Sequence, residues 1–203
     1  MKGLLFAPLL ALCAINPISA QDTTAQVDMS CLTQGDLEAR ASPLDSLSFS
    51  IAGERVKICY GRPSARGRTM IGTGSAEGPI VMGQVPFGQI WRTGANEPTL
   101  LLTPVDLSVG DLQVPAGIYS IYSVPGPTEW EIIVNRSYSQ GGMESFYTDE
   151  VQAQEVGRIT VASESTEAHV ERFTIRAEEE QRQVHVFLEW ERTRVPVLVK
   201  AAS

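Results

Sequence analysis

From Leu44 onward the apolar residues of this chain fall at every second position, and clusters of turn-forming residues interrupt them at short intervals. Leu47, Phe49 and Ile51 alternate with serines, and after Ala52-Gly53-Glu54 the alternation resumes with Val56, Ile58 and Tyr60. A period of two places alternate side chains on one face of an extended strand, so this stretch predicts a hairpin. Leu100, Leu101 and Leu102 form a short apolar run; Leu107/Val109 and Leu112/Val114 flank a turn at Gly110-Asp111. The bend Val114-Pro115-Ala116-Gly117 precedes a strand running through Val124, and Pro125-Gly126-Pro127 ends it before Trp130 to Val134. Ile159/Val161, Phe173/Ile175, Val184/Val186/Leu188/Trp190 and Val195/Val197/Val199 repeat the theme. A helical period is absent except for a short one near Asp149 to Gln154. About eight to ten short strands divided by turns predict a single all-β domain: an antiparallel β-sandwich, jelly-roll-like, or a partly open barrel.

The N-terminus reads differently. Lys2 opens an almost wholly apolar run from Leu4 to Ile15, and Ile18-Ser19-Ala20 offers a cleavage site, which predicts a secretory signal over residues 1–20 and a mature chain beginning at Gln21. Asn16 and Pro17 stop the apolar run short of the roughly 20 residues a bilayer span needs, and no later segment reaches that length. Leu10-Ala11-Leu12-Cys13 is similar to a lipobox, but Leu12 is too large for the position before a lipidated cysteine. Residues 21–43, polar and without period, are expected to be an extended lead-in to a domain over 44–203. Loss of Lys2 takes the formal charge from -8 to -9, which speaks against nucleic acid as a partner.

Two cysteines remain after the signal, Cys31 and Cys59, in a chain read as destined for an oxidising compartment; a disulfide is expected, with two free thiols the alternative. Neither has a second cysteine or a histidine at ligand spacing, so no metal site is expected there. Parity puts Cys59 on the face opposite Val56, Ile58 and Tyr60, so the bond would pin the lead-in across the outside of the first hairpin.

Arginine is concentrated in Gly61-Arg62-Pro63-Ser64-Ala65-Arg66-Gly67-Arg68, and recurs in Trp91-Arg92-Thr93-Gly94-Ala95-Asn96-Glu97. Pro63 holds the backbone extended and Gly67 permits a reversal, so Arg62, Arg66 and Arg68 can converge beside Arg92. Guanidinium groups held this way suit bidentate recognition of carboxylate, phosphate or an acidic sugar. The competing reading is internal: the arginines pair with carboxylates such as Glu97 and hold loops in place. The ligand-binding candidates are Arg62, Ser64, Arg66, Arg68, Trp91, Arg92, Asn96 and Glu97. Trp91 suits the core as well as a ligand face, and Asn96 suits a tight turn. Tyr138, Phe146 and Tyr147 lie in a loop from Asn135 to Asp149, placed either to stack on a ligand or to pack back onto the sheet.

Four segments in this order, GRPSARGR, VPFGQIWRTGANE, VPAGIYSIYSVPG and EWEIIVNR, resemble the bacterial domain-of-unknown-function 2911 family over about residues 44–200. The resemblance implies an exported, mostly β domain and carries no reaction, substrate or catalytic residue. Glycine-rich sequence from Thr73 to Met82 stands as an addition between the first two segments.

No catalytic motif names a reaction. G-x-S-x-G, H-E-x-x-H and the P-loop pattern are absent, and Gly72-Thr73-Gly74-Ser75-Ala76-Glu77 lacks the last glycine of the dinucleotide fingerprint; no cofactor is expected. Pairing Phe173 with Leu188 and Ile175 with Val186 sets His169 and His185 on opposite faces, and Glu178-Glu179-Glu180 then forms a solvated hairpin tip. Glu97 and Glu144 are the carboxylates to inspect as a catalytic pair. The expectation is an exported sandwich binding an anionic small molecule, a glycan or an envelope protein; the alternatives are a carboxylate-dependent hydrolase of a polysaccharide or anionic ester, and a structural envelope component.

Overall fold

A computed structural model describes residues 26–74, 84–141 and 143–202. The signal over 1–20 and most of the glycine-rich stretch, residues 75–82, lie outside the described residues. Among the described residues ten strands form two antiparallel sheets that do not close into a barrel. The larger sheet has the order β1-β2-β3-β6-β7-β8 and contains β1 (Leu44–Ile51), β2 (Glu54–Gly61), β3 (Thr99–Thr103), β6 (Gly117–Pro125), β7 (Glu129–Asn135) and β8 (Glu155–Ala162). The smaller has the order β5-β4-β10-β9, from β4 (Leu107–Val109), β5 (Leu112–Val114), β9 (Glu164–Glu180) and β10 (Gln183–Ala201). The short helix α1 (Asp149–Gln152) stands where the sequence shows its one helical period.

Turn chemistry sets the hairpins. Ala52 and Gly53, at φ 53° and 84°, close β1 onto β2 with Ile51 opposite Glu54, the two-residue turn whose left-handed pair matches strand twist. The alternate residues Phe49, Ile51, Val56, Ile58 and Tyr60 then face the interior with Trp130, Ile132 and Val134 of β7 and Val184, Val186, Leu188 and Trp190 of β10. Trp91 sits at the centre of this layer, stacked on Trp190 at 5.9 Å and edge-on to Phe173 at 5.1 Å. The buried Tyr60 hydroxyl donates to the Ile175 carbonyl and accepts from the Ile175 amide, so burial leaves it satisfied.

The β9–β10 hairpin departs from the expected register. Ile175 faces Leu188 and Ala177 faces Val186, because the turn is Gln181-Arg182, with Gln181 at φ 53° and Glu180 opposite Gln183. Glu178, Glu179 and Glu180 are therefore the end of β9 and not the tip. The two apolar runs of the last segment belong to one strand, bent by irregularities around Glu191, whose φ is 54°.

The outer face of the large sheet carries a second apolar layer. Cys59, Leu100 and Leu102 are buried there beneath Met29, Cys31, Ile118 and Tyr138. Residues 26–43 contain no strand and run across this face, tied to β2 by the Cys31–Cys59 disulfide with Cα atoms 5.7 Å apart. Lys57 adds a hydrogen bond from its ammonium to the Met29 carbonyl.

Candidate functional site

The arginine-rich tract leaves β2 at Gly61 and crosses to the other sheet. A Cβ at Gly61 would stand 1.8 Å from the Ala95 carbonyl oxygen, so only glycine lets the tract and the 91–97 turn lie against each other. Pro63, extended and without an amide to satisfy, accepts from the Phe173 amide; Ser64 pairs with Arg172, and the Ala65 amide donates to the Glu171 carbonyl. Residues 63–65 thus edge β9 and fasten one sheet to the other. Arg66 and Gly67, at φ 53° and 71°, then reverse the chain.

Each candidate arginine has a different environment. Arg62 bridges the sheets, its guanidinium reaching Asp45 at 3.0 Å, the Phe173 carbonyl at 3.1 Å and the Thr174 hydroxyl at 2.7 Å. Arg92 grips Glu144 through two parallel bonds, Nε to Oε1 at 2.9 Å and Nη2 to Oε2 at 2.8 Å, and donates Nη1 to the Asn96 carbonyl. Arg68 donates only to the carbonyls of Ala65 and Ser64, and the Arg66 side chain has no partner among the described residues. The four do not converge: Arg62 and Arg92 are each paired with a carboxylate, whereas Arg66 and Arg68 lie at the reversal with none among the described residues.

Trp91 is 5% exposed and its indole N–H donates to the Gly94 carbonyl, so its ring belongs to the core. Asn96, at φ 67°, takes a left-handed turn conformation and donates its side-chain amide to the Ser42 carbonyl. Glu97 meets none of the four arginines. Its carboxylate accepts from Arg40 Nη1 at 2.6 and 2.9 Å and from the Gln34 amide at 2.7 Å. The carboxylates Glu97 and Glu144 are each held by a different arginine. Tyr138 and Tyr147 pack onto the sheet, Tyr147 edge-on to Tyr122 at 4.6 Å, whereas Phe146 stays 44% exposed. Burial and a hydrogen bond to Glu155 push the Tyr147 phenol well above its usual value.

Beside the reversal, Gly67, Arg68 and Thr69 form one wall of an open groove of about 460 Å³, and His169, Arg192 and Thr193 form the other, with Phe87 and Ile71 between. Glu191 also lines it, but both its oxygens are occupied by the amides of Met70 and Ile71, which the positive-φ bulge brings within 3.0 and 2.9 Å. The Arg192 guanidinium donates to the Glu167 carbonyl, and neither Arg68 nor Arg192 has a carboxylate within ion-pair distance among the described residues. The Arg66 amide holds Glu171 below the ordinary carboxylate value, and His169 stands 3.4 Å from the same carboxylate. Arg192 and Phe87 are not among the sequence candidates and His169 is weighed there only against His185, because β9 and β10 deliver Arg192 and His169 from about a hundred residues away; an aromatic set between the turn residues Pro86 and Gly88 is the one sequence signal for Phe87.

Two antiparallel sheets joined at their edge by an arginine-bearing tract define an all-β sandwich domain. Residues 42–199 match the family described as "Protein of unknown function (DUF2911)", and the chain belongs to that family. No curated protein and no solved structure matches it.

Proposed function

We propose that this is an exported binding domain whose groove between the 66–71 reversal and β9–β10 takes an acidic saccharide. The observation that carries this reading is that Arg68 and Arg192 line an open groove and, among the described residues, no carboxylate is paired to either, in a chain whose formal charge is -8. The two guanidinium groups outnumber the one carboxylate that lines the groove, Glu191, whose oxygens are taken by backbone amides, and they suit an anionic ligand, while Phe87, 38% exposed, offers a ring to a sugar face and Thr69 and Thr193 offer hydroxyls. Binding is favoured over hydrolysis because Glu97 and Glu144 are each paired with an arginine and neither is among the residues that line the groove.

Export belongs to the same reading: residues 1–20 are a cleaved signal, 21–43 the N-terminal segment and 44–203 the domain. The Cys31–Cys59 bond and the absence, among the described residues, of any helix long and apolar enough to cross a membrane support it. Titration of the protein with uronic-acid oligosaccharides and with their neutral counterparts tests the ligand class. Binding of the acidic series that weakens about tenfold, ~1.4 kcal/mol, in Arg68→Ala and in Arg192→Ala is the expected outcome. Equal affinity for acidic and neutral series rejects the reading.

A further inference from the structure

Glu97 lies outside that groove and is 2% exposed, yet among the described residues every hydrogen bond to its carboxylate comes from the segment that covers it, from Arg40 and the Gln34 amide. The body of the domain supplies a buried anion and leaves its neutralisation to a strap. That strap is a tethered ligand in form: the Gln34 amide and, beyond the bend at Gly35 and the turn over 37–39, the long cationic side chain of Arg40 meet on one buried carboxylate. It is anchored by the disulfide at Cys31 on one side and by β1 on the other, with the Asn96 amide on the Ser42 carbonyl.

Arg40 fills its seat incompletely. Its side chain is 8% exposed, and Nε and Nη2 are both buried without a hydrogen-bond partner, so only Nη1 of the guanidinium is used. Buried donors left unpaired offset much of what an ion pair contributes, which makes the contact one that a better-matched occupant can replace. Tethering hides this weakness, since a side chain held a few residues from its anchors acts at a high effective concentration and excludes dilute competitors.

We propose that the buried Glu97 carboxylate is a guanidinium-binding site, filled here by Arg40 of the same chain and open to the arginyl side chain of a peptide when the strap lifts. A guanidinium is preferred to an ammonium because it is less strongly hydrated and so is more readily transferred to an enclosed carboxylate.

Chemical rescue in the full chain tests the site. Arg40→Ala leaves Glu97 enclosed and unpaired and lowers the melting temperature; low-millimolar methylguanidinium then raises it saturably, methylammonium does not, and the natural chain responds to neither. Arg40→Ala combined with Glu97→Gln is insensitive to both cations. No restoration, equal restoration by the two cations, or restoration that survives Glu97→Gln overturns the proposal. Should Arg40→Ala not fold, the same question is put to Cys31→Ser/Cys59→Ser, whose strap is untied, with a labelled synthetic peptide of residues 28–43. At least tenfold tighter binding than to the disulfide-bonded natural chain, abolished when the peptide's arginine is replaced by lysine, is expected; equal binding to both proteins, or indifference to that replacement, overturns it.

Discussion

Gly61 and Gly67 sit six residues apart in one motif and are glycine for different reasons. At Gly61 a methyl group would collide with the Ala95 carbonyl, backbone against backbone, so Gly61→Ala is expected to cost about 3 kcal/mol or more as the two loops separate. At Gly67 the space is open and only the φ of 71° resists a side chain, so Gly67→Ala is expected to cost about 1 kcal/mol. Urea melts of the two variants check the order. The arginines divide in the same way. Arg92→Ala strands Glu144, which is 14% exposed, and is expected to destabilise by about 2 to 3 kcal/mol, whereas Arg66→Ala is expected to stay within about 0.5 kcal/mol. The composition of the motif was legible in the sequence; which guanidinium meets a carboxylate was not, since Asp45 reaches Arg62 across the β1–β2 hairpin and Glu144 reaches Arg92 from the loop between β7 and β8, and alternation does not report side-chain pairing in loops.

Two elements carry consequences of their own. The covering segment is fastened by a disulfide that encloses 28 residues of sequence separation, and its loss is expected to cost about 3 to 4 kcal/mol in the chain-entropy view. Alkylation of the native protein without reduction should label neither Cys31 nor Cys59; labelling of both contradicts the bond. In the β9–β10 hairpin, Glu189 lies between Arg176 and Arg194. Burial pulls its carboxyl upward, but hydrogen bonds from the two arginines outweigh burial and leave it below its ordinary value of 4.5. A depressed carboxyl contributes stability that is complete above the unfolded value and is lost as pH falls through the folded one, here below about pH 4.5. Glu189→Gln is therefore expected to be less stable near neutrality and to lose less on acidification below pH 4.5, as read by thermal melts across that range. Period-two alternation located these strands, because burial of one face enforces it. It could not set the hairpin register. Moving the turn from Glu178-Glu179-Glu180 to Gln181-Arg182 shifts each pairing while keeping the same residues inward, so the apolar pattern is satisfied either way.

At the scale of the whole molecule, the sandwich uses its arginines in two ways: Arg62 and Arg92 fasten elements together through carboxylates and carbonyls, and Arg66 and Arg68 emerge at a reversal beside Arg192. Fold class was readable from alternation and turn chemistry, but the groove was not, for its walls come from residues 66–71 and from β9 and β10, which meet only after the two sheets pack. The division between holding arginines and presenting arginines is what an anion-binding role requires, because a guanidinium already paired with an internal carboxylate has no charge left to offer. Its most direct test is a paired measurement on Arg68→Ala and Arg92→Ala: the melting temperature of each, and its affinity for an acidic oligosaccharide at low and at physiological salt. Arg68→Ala should melt within about 0.5 kcal/mol of the natural chain, bind about tenfold more weakly and show a smaller salt dependence, while Arg92→Ala should lose stability and keep its affinity below its melting range. Unchanged binding in Arg68→Ala, or weakened binding in a folded Arg92→Ala with Arg68→Ala unaffected, would contradict it.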